Sequence, residues 1–125
     1  MTGRPLRQNE RDILVALIHR AGLDRALSDP QALDAMCAVD LSDGGMGSIR
    51  FLPATSETAR RFGRVACEVL YTDTDGVDVL ISLLLDDRGD LFEIDMWKMD
   101  YSALKKYPIP DRFRAAAIQP LQRRP

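Results

Sequence analysis

Between Arg64 and Asp100 the sequence alternates apolar and polar residues in three runs, separated by two short turns rich in Asp and Gly. A period of two with tight turns between the runs fits one backbone arrangement, an antiparallel β-meander. Val65, Cys67, Val69 and Tyr71 share one face of the first strand. Asp73-Thr74-Asp75-Gly76 turns the chain, because Gly tolerates positive φ. Val77, Val79, Ile81, Leu83 and Leu85 then line one face, with Leu80 and Leu84 on the other. A strand apolar on both sides is covered on both sides, so this one is expected at the centre. Asp86-Asp87-Arg88-Gly89-Asp90 makes the second turn, and Leu91 to Met99 forms the third strand. Of its two faces, Phe92, Ile94, Met96 and Lys98 is the expected core face. Leu91, Glu93, Asp95, Trp97 and Met99 form the other.

Charge is distributed unevenly along the chain. The net charge is −2 over 125 residues, which excludes nucleic-acid binding by bulk charge. Residues 64–100 carry ten acids and three bases, whereas residues 101–125 carry six bases (Lys105, Lys106, Arg112, Arg114, Arg123, Arg124) against Asp111. The two segments should therefore create opposed surface potentials. The length is that of one domain. Cys37 and Cys67 both sit in apolar alternating runs and read as small buried hydrophobes, reduced rather than paired. The start, Met-Thr-Gly-Arg-Pro-Leu-Arg, has no apolar stretch behind it, and no run approaches the ~20 apolar residues of a membrane span. A cytoplasmic protein is expected.

Around the meander the signals are shorter. Asn9 is an N-cap candidate with Asp12 at the capping-box position. Ile13, Leu14, Leu17, Ile18 and Ala21 fall on one helical stripe, and Gly22 ends it. This amphipathic helix is expected to pack on one face of the sheet. Residues 29–41 carry two readings. Asp29-Pro30 can open a helix, whereas alternation from Leu33 to Leu41 spells a strand; the strand is the preferred reading. Asp43-Gly44-Gly45-Met46-Gly47-Ser48 reads as a hairpin turn leading to a short strand over 48–52. As a phosphate cradle it lacks a following helix N-terminus or a Lys-Ser/Thr pair. Thr55 to Phe62 reads as a short helix. Ser102 to Lys106 and Asp111 to Ala117 read as short helical turns limited by Pro108 and Pro110. Residues 1–8 and 119–125 are expected to be flexible. The sum is an α+β domain with an about five-stranded, mostly antiparallel sheet.

No catalytic set is spelled out. His19, late on the helix, is the single histidine, and with two separated cysteines it gives no zinc spacing. Asp73-Thr74-Asp75-Gly76 lacks the later ligands of a calcium loop. Glu93 and Asp95, two residues apart on one strand face, could serve a metal or a hydrolase, or form a solvated charged stripe. No cofactor is expected. Trp97 lies on the same face, and an amphipathic ring among acids suits an interaction surface; the alternative is that Tyr101 or Tyr107 covers it.

Two motifs, DGGMGSIRF (43–51) and FEIDMWKMDYSALKKYP (92–108), together with RPLRQNERDILVALI (4–18), resemble a small bacterial domain family of uncharacterised biochemistry. Such single-domain proteins look like immunity proteins of contact-dependent growth inhibition systems. The resemblance implies a binding protein without enzymatic activity, whose partner is a cognate toxin domain, commonly a nuclease. It implies no cofactor and no direct contact with nucleic acid or membrane. An acidic surface would suit the basic active site of a nuclease. Here that surface would comprise Asp86, Asp87, Asp90, Glu93 and Asp95, with Trp97 as aromatic anchor. A small carboxylate- or metal-dependent hydrolase and a regulatory subunit are the competing readings.

Overall fold

The structure, a computed structural model, describes residues 3–23, 30–52 and 60–116. In chain order its elements are β1 (Arg4–Pro5), α1 (Gln8–Arg20), α2 (Pro30–Ala35), β2 (Cys37–Asp40), β3 (Ile49–Leu52), β4 (Phe62–Thr72), β5 (Asp78–Asp86), β6 (Leu91–Lys98), a 3-10 turn (Pro110–Arg112) and β7 (Arg114–Ala115). The strands form one seven-stranded sheet in the order β1-β2-β3-β6-β5-β4-β7, and every pairing is antiparallel. The meander β4-β5-β6 is the middle of this sheet, and β5 has neighbours on both sides. Sheet class and meander follow the alternation in the sequence. The strand count exceeds five because β1 and β7 are two residues long. Two residues cannot express a period of two.

One side of the sheet builds the core. Val69, Tyr71, Val79, Ile81, Leu83, Leu85, Ile94 and Met96 join Ile13, Leu14, Leu17 and Ile18 of α1 in a single cluster. The helix start differs from the capping pattern in the sequence. Its N-cap is Arg7, and Glu10 sits at N3. The Glu10 carboxylate accepts the Arg7 backbone N–H at 2.8 Å. Arginine has no acceptor to return the bond, so only this half of a capping box exists. Glu10 is chosen over Asp12 because it is also gripped by Arg4, whose two Nη atoms each donate at 2.7 Å. Arg4 reaches Asp40 as well. This network joins β1, α1 and β2.

Residues 29–41 divide differently from either sequence reading. Pro30–Ala35 is helical, and the strand begins only at Cys37. Proline at the first helical position and the high helix propensity of Ala and Leu override the alternation through Ala35. Residues 102–106 form no helix, and Arg114–Ala115 is a strand where a helix over 111–117 was read. The residues 55–59 of the expected Thr55–Phe62 helix lie outside those described, while Phe62 opens β4. Cys37 and Cys67 are free and half-buried.

The third strand carries a bulge. Leu84 pairs with Glu93 but Leu85 pairs with Leu91. The extra residue, Phe92, shifts the pattern by one. Leu91 therefore enters the core in place of Phe92. The Phe92 ring lies under two guanidiniums, with Arg50 Cζ 4.7 Å and Arg60 Cζ 5.3 Å from its centroid.

Candidate interaction surface

The six residues singled out in the sequence do not form one exposed patch. Asp87 and Asp90 are exposed at the β5–β6 turn. Asp86, Glu93 and Asp95 are buried, at 4%, 6% and 6% exposure. Alternation assigns a side chain to a face of the sheet; it does not say whether that face is covered. Asp86 caps its own turn, accepting the N–H groups of Arg88 and Asp90 at 2.9 Å each, and it pairs with Arg60 Nε at 3.0 Å. Burial pushes its carboxyl upward, but the two backbone N–H bonds and Arg60 outweigh that and hold it below the usual range. Glu93 accepts from Arg50 Nη2 at 2.8 Å across the β3–β6 pair. Asp95 stands opposite Ser82 on β5. Glu93 thus ties β3 to β6, and Asp86 closes the β5–β6 turn. Trp97 lies at the far end of β6 from the turn, about 20 Å away at the rise of a strand.

The end of the sheet near Trp97 is organised by a residue that alternation placed on the core side. Lys98 is fully buried. Its Nζ donates to Asp73 at 2.9 Å, to Asp75 at 2.6 Å and to the carbonyl of Ala103 at 3.0 Å. Asp73 is equally committed. One oxygen accepts from the N–H groups of Thr74 at 2.7 Å and Lys106 at 3.0 Å; the other accepts from Lys98 and from the Lys105 N–H at 2.7 Å. Burial raises this carboxyl, but the Lys105, Lys98, Thr74 and Lys106 donors together hold it at about 2. Burial likewise lowers the Lys98 ammonium, and Asp75 and Asp73 overcome this to raise it. A raised, triply bonded ammonium is unsuited to nucleophilic chemistry, which needs a free amine. Lys98 is a structural pin.

That pin, with the glycine loop, fixes the segment after β6. The Asp43 carboxylate accepts the N–H groups of Met46 and Ser48, closing the loop. The Ser48 hydroxyl donates to the Met96 carbonyl and accepts the Met96 N–H. Leu104 N–H donates to the Gly45 carbonyl at 3.0 Å. Gly47 has φ of 99°, and a Cβ there would stand 3.2 Å from Met96 Sδ and 3.4 Å from Leu104. The backbone angle favours glycine, and the tight approach adds to that. The two sequence motifs thus meet each other.

What this packing presents is Tyr101. Its N–H donates to the Lys98 carbonyl at 2.9 Å, closing a turn after the strand. It adopts φ of 64°, the one left-handed non-glycine among the described residues. Its side chain is nevertheless 69% exposed. The ring stands 6.0 Å from that of the half-buried Trp97, tilted by 57°. A bulky residue in this conformation costs about 1–3 kcal/mol. From the sequence Tyr101 is expected only as a cover for Trp97, since no local signal distinguishes a left-handed tyrosine from any other. Lys98 was detectable, since alternation put a lysine on an apolar face.

Among the described residues, no three His, Cys, Asp or Glu side chains stand together to hold a metal, and no helix is long and apolar enough to cross a membrane. No curated protein and no solved structure matches the chain. The family model of a domain of unknown function, DUF6984, matches residues 3–108. That span contains the N-terminal ion network, the glycine loop, the Lys98 pin and the Tyr101 turn, and the chain belongs to this family.

Proposed function

We propose that this chain is a binding protein that neutralises a cognate toxin domain by covering it, with Trp97 and Tyr101 as its anchors. The resemblance to immunity proteins supplies the class of partner, a toxin domain of nuclease type met in the cytoplasm. The observation that carries the reading is Tyr101: an exposed aromatic held in a costly backbone conformation beside a second aromatic. Strain that packing does not use is commonly held for a partner, and aromatic anchors dominate binding energy in protein interfaces. Asp87 and Asp90, exposed at the opposite end of β6, act on the rate of encounter with a basic partner rather than on the strength of the complex. Asp86 and Glu93 contribute by keeping the sheet intact.

Co-expression with a candidate nuclease toxin domain tests the reading. The wild type should protect growth, and Tyr101→Ala and Trp97→Ala should lose protection while remaining folded. Full protection by the Trp97→Ala, Tyr101→Ala double variant would remove the anchors from the account.

A further inference from the structure

At the β4–β7 edge of the sheet lies a cleft of about 640 Å³, lined by Thr72, Ile109, Asp111, Arg112 and Arg114. Its volume falls within the range of small-molecule sites, about 300–1,000 Å³. Arg114 is fixed from two sides. Its Nη1 donates to the Thr72 hydroxyl at 2.9 Å, and its Nη2 pairs with Asp78 at 2.9 Å. The Thr72 hydroxyl passes its own proton to Asp78 at 2.8 Å, so Thr72, Asp78 and Arg114 form one closed cluster. Arg112 is exposed and has no ion pair among the described residues. Ile109 adds an exposed apolar side chain at 37%. The wider segment has the same sign: residues 101–116 carry Lys105, Lys106, Arg112 and Arg114 against Asp111 alone. Asp78 offsets the charge of Arg114, so the exposed Arg112 is the cation left for a ligand, and a concave site with one positioned and one unpaired guanidinium matches the chemistry of oxyanion recognition.

We propose that this cleft binds a small organic phosphate. The guanidiniums of Arg112 and Arg114 take the phosphate oxygens, and the Thr72 hydroxyl, which donates to Asp78, serves only to hold Arg114 in place. Asp111, the one carboxylate in the lining, accepts from a hydroxyl or amine of the same molecule. Ile109 packs against its carbon skeleton. Asp111 makes the site selective, because a bare dianion gains from the arginines but is repelled by this carboxylate. The cleft shares no lining residue with the Trp97–Tyr101 anchors.

The test is calorimetry and amide chemical-shift titration of the full chain with two probes, inorganic phosphate and ribose 5-phosphate. Saturable binding is expected, tighter for the sugar phosphate, with shifts centred on Thr72, Arg112 and Arg114. Arg112→Ala, at an exposed position outside the core, should fold normally and weaken binding about tenfold or more. Asp111→Asn should narrow the difference between the probes. Absence of saturable binding of either probe would overturn the proposal, as would unchanged affinity in Arg112→Ala. Equal shifts spread over all exposed lysines and arginines would also overturn it, since they indicate screening alone. Arg112→Ala should still protect against the toxin domain, which keeps this result independent of the binding role.

Discussion

Replacing Asp73 by Asn is expected to destabilise the protein by about 3 kcal/mol. The figure follows from the four donors converging on this carboxylate: Thr74 and Lys106 on one oxygen, Lys98 and Lys105 on the other. Asparagine keeps one oxygen and puts an NH₂ group where the other stood, so two of the four donors face a donor in either orientation. Each buried polar group left unsatisfied costs about 1–3 kcal/mol, and the side chain has no exposure through which water could substitute. Asp75→Asn is the control. Asp75 also holds Lys98, but its side chain is 28% exposed, so water can replace the lost bond and a cost of about 1 kcal/mol is expected. Urea unfolding at pH 7, followed through the single tryptophan, measures both. In thermal melts Asp73→Asn should lower the midpoint by about 10 °C. A cost for Asp73→Asn no larger than that for Asp75→Asn would refute the reasoning that Asp73 is the centre of the pin. The pH dependence gives a second reading. The folded carboxyl titrates at about 2 against an ordinary 3.8, so its contribution is complete above 3.8 and is lost as pH falls towards 2. The difference between wild-type and Asp73→Asn stability should therefore shrink between these two values. A difference that stays constant across that window contradicts the assignment.

Three further outcomes follow from individual residues. Tyr107 has a buried hydroxyl with no hydrogen-bond partner among the described residues, and burial raises its pKa; Tyr107→Phe should leave stability unchanged or raise it by up to about 1 kcal/mol in urea unfolding. Gly63→Ala would drive a Cβ into the Asp86 carbonyl oxygen, a backbone atom that cannot swing aside; a loss of about 2–3 kcal/mol is expected, and a melt like the wild type's would contradict the close approach. Charge reversal should separate the acids: Asp87→Lys should change stability by no more than about 0.5 kcal/mol, whereas Asp86→Lys, buried against Arg60, should yield little folded protein by circular dichroism.

The sequence made the centre of the sheet legible because period two is strong over the long strands β4, β5 and β6. It did not reveal β1 and β7, whose pairing depends on the sheet being formed already. It misassigned Leu33 to Ala35, where helix propensity and a proline start compete with a pattern of alternation only a few residues long. Phe92 was placed in the core because a bulge has no signature in the polarity pattern. The charged residues show the deeper limit. Polarity suggested that Glu93 and Asp95 face solvent, whereas both are buried and Glu93 is neutralised by Arg50. The partners that permit such burial come from other strands, and the sequence gives no measure of who meets whom. Lys98 was assigned to the core side by the same alternation that failed for Phe92, and its burial is explained by two aspartates in a turn read only as a turn.

The central claim is that Trp97 and Tyr101 anchor a partner protein. Calorimetric titration of the cognate toxin domain into the wild type and into Trp97→Ala and Tyr101→Ala variants tests it most directly. A tight one-to-one complex is expected, weakened by each variant about 30-fold or more, the loss typical of an interface hot spot. Wild-type affinity in both variants, with their folds intact, would contradict it.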